Sequence, residues 1–202
     1  MTESARRRVA ARREAVEREI LDASWQLMER EGVAALNVRE VARAIGLRQQ
    51  SLTYYFPTKR ALLDALFADG FVRLGEVFDA LPDGADPVDA VVAVGDAVAE
   101  YFSAHPARYH LMFQRTVPGF RPSEGSHAVA LRSLQMLIDR LAAAGVTKPD
   151  DVALVRGVIS GLASEQLANE PGGRQYISQV ERGVRAVLAA LAPSGGSARR
   201  RA

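Results

Sequence analysis

Apolar residues recur at every third or fourth position along most of this 202-residue chain. That spacing places side chains on one face of an α-helix, whereas a half-buried β-strand would alternate apolar and polar residues. The sequence has no such alternation, no internal repeat and no glycine-rich nucleotide-binding loop. Hydrophobic residues make up 48% of it, which is enough to bury a sizeable core. We therefore predict an all-α protein of about nine helices.

Glycine, proline and capping residues divide the apolar pattern into separate helices. The predicted helices span residues 14–31, 38–45, 49–56, 58–81, 88–105, 107–115, 126–145, 149–169 and 174–192. The helix predicted over residues 58–81 would be about 35 Å long, because an α-helix rises about 1.5 Å per residue. That length suits a helix that connects two modules.

The composition argues against several kinds of chemistry. Without cysteine the chain has no disulfide, thiolate metal site or cysteine nucleophile. His105 and His110 lie off the i, i+4 spacing of paired helical metal ligands, and there is no Ser/His/Asp or paired-carboxylate set. No window reaches the roughly 18 apolar residues of a membrane span, and the first residues lack the apolar stretch of a signal sequence. We expect a cytoplasmic protein that is not an enzyme and has no metal, cofactor or membrane contact.

Positive charge is concentrated near the beginning of the chain. Residues 1–60 carry 12 Lys and Arg against 8 Asp and Glu, whereas residues 61–202 carry 14 against 16. A basic arm precedes the first apolar periodicity, and its arginines are Arg6, Arg7, Arg8, Arg12 and Arg13. Such an arm is typical of segments that contact phosphate or a DNA minor groove. A solvated, disordered terminus is the alternative.

Two short helical patterns follow one another closely between Asn37 and Pro57. Asn37 and Glu40 have the spacing of a capping pair, Gly46 ends the first pattern, and Pro57 ends the second. Two short helices joined by a glycine-containing turn form a helix-turn-helix, whose second helix enters the DNA major groove. A solvated helical hairpin within a bundle is the alternative.

Polar, basic and aromatic residues crowd this motif. Glutamine pairs with the edge of adenine and arginine with the edge of guanine, whereas hydroxyl and amine groups suit phosphate. The candidates for base contacts are Arg39, Arg48, Gln49 and Gln50. The candidates for phosphate contacts are Ser51, Tyr54, Tyr55 and Lys59.

Residues 20–66 resemble the DNA-binding head of the tetracycline-repressor (TetR) family of bacterial transcriptional regulators. The residues at the family's spacings are Ile20, Leu21, Gly32, Leu36, residues 38–42, Gly46, Leu52, Tyr55, Phe56, Lys59, Leu62 and Leu63. The resemblance implies that Asn37 replaces a capping threonine beside phosphate and that Arg39 and Gln49 touch bases. It also implies DNA-backbone contacts for Ser51, Tyr54, Tyr55 and Lys59. Thr53 and Arg48 depart from the pattern, where the family commonly has a phosphate-binding tyrosine and a capping serine or glutamate.

In that family the C-terminal helices form a divergent body with a ligand cavity and a dimer interface. Here an aromatic cluster in the middle helices mixes flexible apolar side chains with hydroxyl and imidazole groups, as a small-molecule pocket does. The predicted pocket residues are Tyr101, Phe102, His105, Tyr109, Phe113 and Met136. Plain core packing is the alternative for such a stripe.

The last two predicted helices carry features of an interface. An apolar stripe on the final helix consists of Ile177, Val180, Val184, Val187, Leu188 and Leu191. On the preceding helix, Gly157 and Gly161 permit another helix to approach closely. We predict a homodimer through this surface, because the stripe would otherwise leave contiguous apolar surface exposed. Packing within one subunit is the alternative.

Together these features predict a homodimeric, ligand-responsive transcriptional regulator that acts as a repressor. Its predicted partners are a near-palindromic double-stranded DNA operator, a second copy of itself and an unknown small-molecule effector. The predicted parts are a basic N-terminal arm (1–13), a TetR-type helix-turn-helix domain (14–74), a helical ligand-binding and dimerisation domain (75–192) and a disordered tail (193–202). An architectural DNA-binding protein, or an activator without small-molecule induction, is the alternative.

Overall fold

The computed structural model describes residues 3–82 and 86–192, which form nine α-helices, two short 3-10 helices and no β-strand. The α-helices are α1 (Glu3–Glu31), α2 (Val38–Ala44), α3 (Gln49–Tyr55), α4 (Lys59–Asp79), α5 (Pro87–Ala104), α6 (Pro106–Phe113), α7 (Glu124–Ala143), α8 (Pro149–Asn169) and α9 (Val180–Leu191). The 3-10 helices are Val33–Ala35 and Ile177–Gln179. The predicted all-α fold is confirmed, whereas the predicted tail, residues 193–202, lies outside the described residues. None of the described helices combines the length and apolarity needed to cross a bilayer.

Helix α1 begins at Glu3 rather than at residue 14, so the predicted start of this helix was wrong. The prediction began the helix where apolar periodicity begins, but a helix that is solvated on all sides has no such signal. Arginine and alanine are strong helix formers, and they dominate the first turns. Ion pairs one turn apart add to this, at 2.6 Å between Arg7 and Glu3 and 2.8 Å between Arg13 and Glu17.

The final helix also differs from its prediction, because a 3-10 helix and α9 replace one helix starting at residue 174. The buried amide oxygen of Gln166 accepts hydrogen bonds from the backbone N–H groups of Tyr176 and Ile177, at 3.0 and 3.3 Å. Gly172, with a φ of +80°, turns the chain just before this segment. A buried side chain from α8 thus organises the approach to α9, and local sequence does not reveal such a long-range cap.

The chain packs as two compact units. The N-terminal unit comprises residues 3–73 and 105–131 of the described chain, and the C-terminal unit comprises 74–82, 86–104 and 132–192. This grouping differs from the predicted division after residue 74, which placed everything that follows in one domain. The reason is that α6 joins the N-terminal core, to which it contributes Ala107 and Leu111.

The core of the N-terminal unit holds the helix-turn-helix region in place. Its fully or almost fully buried side chains include Ile20, Met28, Leu36, Val41, Leu52, Leu62 and Leu66. Glu29 of α1 accepts a hydrogen bond from the backbone N–H of Ala107, at 2.9 Å, and so caps the start of α6. Trp25 donates its indole N–H to Asp69 of α4 at 2.7 Å, and Arg73 also donates to Asp69 at 2.8 Å. Apolar packing and specific polar bonds therefore tie α1, α4 and α6 together.

Helices α5, α8 and α9 pack against one another in the C-terminal unit. A Cβ atom added to Gly95 of α5 would lie 3.1 Å from Val180 and 3.3 Å from Ile159, so the three helices meet closely here. Four members of the predicted dimer stripe are buried inside this unit, namely Ile177, Val180, Val184 and Leu188. Their assignment to a dimer interface was wrong, because packing within the subunit leaves them almost no surface for a partner.

Candidate nucleic-acid interface

The turn between α2 and α3 is fixed by backbone bonds and by one glycine. Asn37 begins α2, and its side-chain oxygen accepts a hydrogen bond from the backbone N–H of Arg39 at 3.0 Å. After α2 ends, Gly46 adopts a φ of +68°, a left-handed conformation that favours glycine. The N–H of Leu47 then donates back to the carbonyl of Ala42 at 2.8 Å. The predicted helix-turn-helix is therefore present.

Burial separates two faces of α2 and α3. Val41, Ala42 and Leu52 point into the core and are at most 1% exposed. The predicted DNA-contacting residues are exposed, except for half-buried Tyr55, and they are Asn37, Arg39, Arg48, Gln49, Gln50, Ser51, Thr53, Tyr54 and Lys59. Each helix has only seven residues, too few to be stable alone, so the core must hold the outward face in position.

A hydrogen bond joins the outward faces of the two helices. The guanidinium Nε of Arg39 on α2 donates to the amide oxygen of Gln49 on α3 at 3.0 Å. The carboxamide nitrogen of Gln49 has two further donors, and its oxygen has a second lone pair. Both side chains can therefore meet a base edge while the bond between them keeps their relative orientation.

Thr53 and Arg48, the two departures from the TetR pattern, have distinct local roles. The hydroxyl of Thr53 donates to the carbonyl of Gln49 at 2.9 Å, within its own helix. Arg48 is the N-cap of α3, but its side chain makes no capping hydrogen bond. The carbonyl of Arg48 instead accepts from the N–H of Ser51 at 2.9 Å. The Arg48 guanidinium is therefore exposed and is not used to cap the helix.

Tyr54 projects from α3 with 71% of its surface exposed, and its ring meets that of Tyr55 edge to face with centroids 5.4 Å apart. The guanidinium carbon of Arg13, on α1, lies 5.8 Å from the centroid of the Tyr54 ring. The contact between Arg13 and Tyr54 was not predicted, because no local pattern connects residues on separate helices. The basic first part of α1 therefore touches the predicted recognition helix directly.

Lys59 lies at the start of α4, beside the loop that precedes α2. Its ammonium group is 3.5 Å from the carbonyl oxygen of Ala34. The hydroxyl of Thr58 accepts from the N–H of Ala61 at 3.0 Å and so supports the first turn of α4. An exposed ammonium held beside this loop is suited to a phosphate oxygen.

The predicted pocket residues belong to both units. His105, Tyr109 and Phe113 lie in the N-terminal unit, where the rings of Tyr109 and Phe113 stack with centroids 6.1 Å apart. In the C-terminal unit, Tyr101 and Phe102 are buried and their rings meet edge to face at 5.3 Å. Met136, in the same unit, is half-buried. The assignment of these six residues to one ligand site stays a prediction.

Two surface pockets lie along α1 rather than at the predicted pocket residues. One, of about 390 Å³, is lined by Ala15, Arg18, Glu19, Asp22, Ala23, Gln26 and Ile45. The other, of about 510 Å³, is lined by Glu3, Ser4, Arg7, Arg8 and Ala11. All but one of these residues belong to α1, and charged side chains are three of the seven in the first pocket and three of the five in the second. A groove along one charged helix does not resemble the mainly apolar, enclosed lining of a small-molecule site.

His105 and Glu29 are neighbouring titratable groups of the N-terminal unit, and the pKa of each is shifted. The Nδ1 atom of His105 lies 4.0 Å from a Glu29 carboxylate oxygen, too far for a hydrogen bond. Partial burial, together with the positive charges of Arg108 and Arg73, lowers the pKa of His105. Burial likewise raises the pKa of Glu29. Each group is thus less readily charged than in water. His105 is the one of the two that belongs to the predicted pocket residues.

Two family patterns match this chain. Residues 20–66 match the family described as bacterial regulatory proteins, tetR family, and residues 91–191 match the tetracyclin repressor-like C-terminal domain. The chain belongs to the TetR family. The first match contains α2, the turn and α3, and the second contains most of α5 and all of α6 to α9.

Individual relatives of this TetR-family chain include two curated regulators. The helix-turn-helix-type transcriptional regulator Rv1816 of Mycobacterium tuberculosis is 31% identical over 151 residues, which cover 70% of this chain and 64% of the relative. The transcriptional repressor DrrR1 of Streptomyces coeruleorubidus is 27% identical over 159 residues, which cover 77% of this chain and 55% of the relative. The chain therefore spans less than two thirds of the length of either protein.

The fold of the TetR-family chain is also similar to solved structures. A TetR variant from Acinetobacter baumannii in complex with minocycline superposes with a TM-score of 0.60 at 20% sequence identity. The superposition covers 85% of this chain and 93% of that one. At this level of identity the likeness establishes the shared fold alone.

Proposed function

We propose that this TetR-family protein is a ligand-responsive repressor that binds a near-palindromic DNA operator as a homodimer. The observation that carries the proposal is the bond between Arg39 and Gln49 on an exposed helix-turn-helix face. Arginine and glutamine are the side chains that read guanine and adenine in the major groove. A bond that orients both before DNA arrives lowers the entropy lost on binding.

The remaining exposed residues divide by chemistry into two groups. Arg48 and Gln50 flank Gln49 at the start of α3, where a recognition helix meets base edges. Asn37, Ser51, Thr53, Tyr54, Tyr55 and Lys59 supply hydroxyl, amide and ammonium groups around them and are proposed to hold the phosphate backbone. We propose that phosphate contacts position α3 and that Arg39, Arg48, Gln49 and Gln50 select the sequence.

For the homodimer we propose an interface on the outer face of α8, in place of the buried stripe on α9. Leu154 is 51% exposed, and no described atom lies within 4 Å of a Cβ atom added to Gly157 or Gly161. These three residues share one helical face and leave room for a second helix to approach closely. Val187 and Leu191 on α9 are only half-buried and extend the proposed interface. A two-fold dimer contains two copies of α3, which is the number that the two half-sites of a near-palindromic operator need.

The effector part of the proposal concerns the six aromatic, histidine and methionine residues of the predicted pocket. We propose that an apolar or aromatic small molecule contacts residues of this set and favours a separation of the two DNA-binding heads that no longer fits the operator. One relative, DrrR1, is named a transcriptional repressor, which supports repression. One solved structure of this fold is a complex with minocycline, which supports small-molecule binding. To change the ratio of the two head separations from 1:99 to 99:1, the small molecule must bind the second state about 5.5 kcal/mol more tightly than the first.

Selection of an operator from a random duplex library, followed by fluorescence anisotropy, tests this function. Replacing Arg39 or Gln49 by alanine should weaken binding by about 1–3 kcal/mol and change the preferred bases. Arg30→Ala is a matched control, because Arg30 lies in the last turn of α1 and is not among the predicted DNA-contacting residues. This variant should bind DNA like the wild type. If Gln49→Ala kept both affinity and base preference, α3 would not be the recognition helix.

Screening small molecules against the bound complex then tests the effector. A repressor of this kind should release the operator with at least one apolar or aromatic compound. Tyr109→Ala and Phe113→Ala should weaken that response while leaving DNA affinity unchanged. Release that is unaffected by both substitutions would place the effector elsewhere, and the absence of any responsive compound would favour the architectural DNA-binding protein.

A further inference from the structure

The first turns of α1 extend well beyond the hydrophobic core. Ile20 is the first fully buried residue of this helix, whereas Val9 is 62% exposed. The 17 residues from Glu3 to Glu19 precede Ile20, and at about 1.5 Å per residue they span about 25 Å. This part of α1 is therefore a projecting helix with few internal neighbours.

One face of the projecting helix points in the same direction as the core side chains further along α1. Arg6, Arg13 and Ile20 are spaced seven residues apart, and seven residues are close to two full turns of an α-helix. Because Ile20 points into the core, Arg6 and Arg13 continue the inner face of α1 beyond it. We call Arg6, Val9 and Arg13 the basic face of α1.

The contact between Arg13 and Tyr54 shows what this face meets. The Arg13 guanidinium lies 5.8 Å from the ring centroid of Tyr54, on the exposed side of α3. Arg6 lies two turns, or about 10 Å, further along the helix axis. It is exposed and forms no ion pair with any residue that the structure describes. The basic face thus adjoins the proposed DNA surface of α3 and continues past it.

We propose that the basic face of α1 is a second DNA contact, which binds backbone phosphates just outside the bases read by α3. The proposal rests on the proposed function, because α3 must lie on DNA for this face to reach the flanking phosphates. Charge complementarity supports it, since residues 3–13 contain five arginines and one glutamate. A helix already held in place also loses less entropy on binding than a disordered arm would.

The size of the expected effect follows from counterion release. Each neutralised phosphate contributes about 0.9 to the slope of log affinity against log salt concentration. Losing the Arg6 contact in each subunit should therefore lower the magnitude of that slope by about 0.9 per subunit. The same relation gives a loss of about five-fold in affinity per contact near 0.15 M salt.

The test measures anisotropy of the full-length protein on its selected operator, with flanking base pairs present or trimmed away. Arg6→Gln should weaken binding and flatten the salt dependence, and trimming the flanks should weaken the wild type but not this variant. Arg7→Gln is the matched control, because Arg7 lies on another face and pairs with Glu3. Equal binding by the wild type, Arg6→Gln and Arg7→Gln would overturn the proposal.

A helix-breaking substitution separates a helical contact from a flexible arm. Ala10→Pro leaves every charge in place but interrupts α1 between Arg6 and Arg13. If the basic face acts as a helix, Ala10→Pro should weaken binding as much as Arg6→Gln, and Ala10→Gly should act in the same direction. Wild-type affinity in Ala10→Pro would overturn the helical contact. A wild-type protein that selected no duplex would overturn the proposed function itself, and this inference with it.

Discussion

The Nε atom of Arg39 donates a hydrogen bond to the side-chain oxygen of Gln49, so that one bond crosses the turn between α2 and α3. The two residues lie ten positions apart in the sequence, and each is on the solvent side of its helix. Because each side chain restricts the rotamers of the other, substitutions at the two positions should not act independently.

A double-mutant cycle measures that dependence. We expect Arg39→Ala and Gln49→Ala together to cost less operator affinity than the sum of the two single changes, by about 1 kcal/mol. The control cycle combines Arg39→Ala with Gln50→Ala, a pair that no hydrogen bond joins in the described structure. Additive losses in the first cycle would mean that the bond has no role in recognition.

Lys59 should contribute affinity without sequence preference. We expect Lys59→Gln to weaken binding to all duplexes by about five-fold per contact near 0.15 M salt and to flatten the salt dependence. The order of preferred operators should stay the same. Lys148→Gln, at the N-cap of α8, is the control for loss of a lysine charge. A change of base preference in Lys59→Gln would contradict its assignment to phosphate.

Gly70 marks a close contact between α4 and α6. A Cβ atom placed on Gly70 would lie 2.6 Å from the sulfur of Met112, so Gly70→Ala should destabilise the fold by about 1–3 kcal/mol. Gly75, on the same helix, has no described atom within 4 Å of such a Cβ. Gly75→Ala should therefore stabilise the protein by about 0.5–1 kcal/mol. Chemical denaturation of both variants checks the contrast, and equal effects would contradict it.

His105 should make the fold sensitive to mild acid. Its pKa is lowered by burial and by Arg108 and Arg73, so the unfolded chain takes up the proton first as the pH falls. The free energy of unfolding should therefore be highest above pH about 6.5, the ordinary pKa of histidine in the unfolded chain. It should decline as the pH falls from that value to the lowered pKa of His105 in the folded protein. His105→Asn should flatten this decline in Tm, whereas His127→Asn, at an exposed position on α7, should not. Identical pH profiles for the wild type and His105→Asn would exclude this role.

Leu154 tests the revised dimer interface. Leu154→Glu should yield a folded monomer in light scattering, because it places a charge at the centre of the proposed contact. Leu131→Glu is a close control, since Leu131 is 50% exposed on α7 and Leu154 is 51% exposed on α8. A dimeric Leu154→Glu variant would show that the subunits associate through another surface.

The sequence predicted elements whose signals are local. Asn37 and Gly46 marked the two ends of α2, and the predicted ends of α8 agree with the structure at both residues. The start of α1 was missed because its first turns depend on helix propensity and ion pairs rather than on an apolar face. Periodicity alone also does not say which neighbour an apolar stripe covers. For this reason Val180 and Val184 were assigned to a partner subunit although α5 and α8 bury them.

Contacts between residues far apart in sequence lay beyond prediction. The contact of Arg13 with Tyr54 and the bonds from Gln166 to the chain before α9 depend on how separate helices pack. The predicted DNA-contacting residues share an exposed face because they were chosen from one short motif. The predicted pocket residues came from several helices, and the structure distributes them between two units.

The residues that fix α3 in place are not the residues that it offers to solvent. Leu52 is fully buried and Gly46 sets the turn, whereas Gln49 and Gln50 are exposed. Exposed side chains away from special backbone positions can usually be exchanged with changes in stability of less than about 0.5 kcal/mol. A duplicated gene for this protein could therefore acquire a new target site one side chain at a time, with every intermediate still folded. The same separation makes Gln49 and Gln50 the natural positions at which to randomise a library for altered specificity.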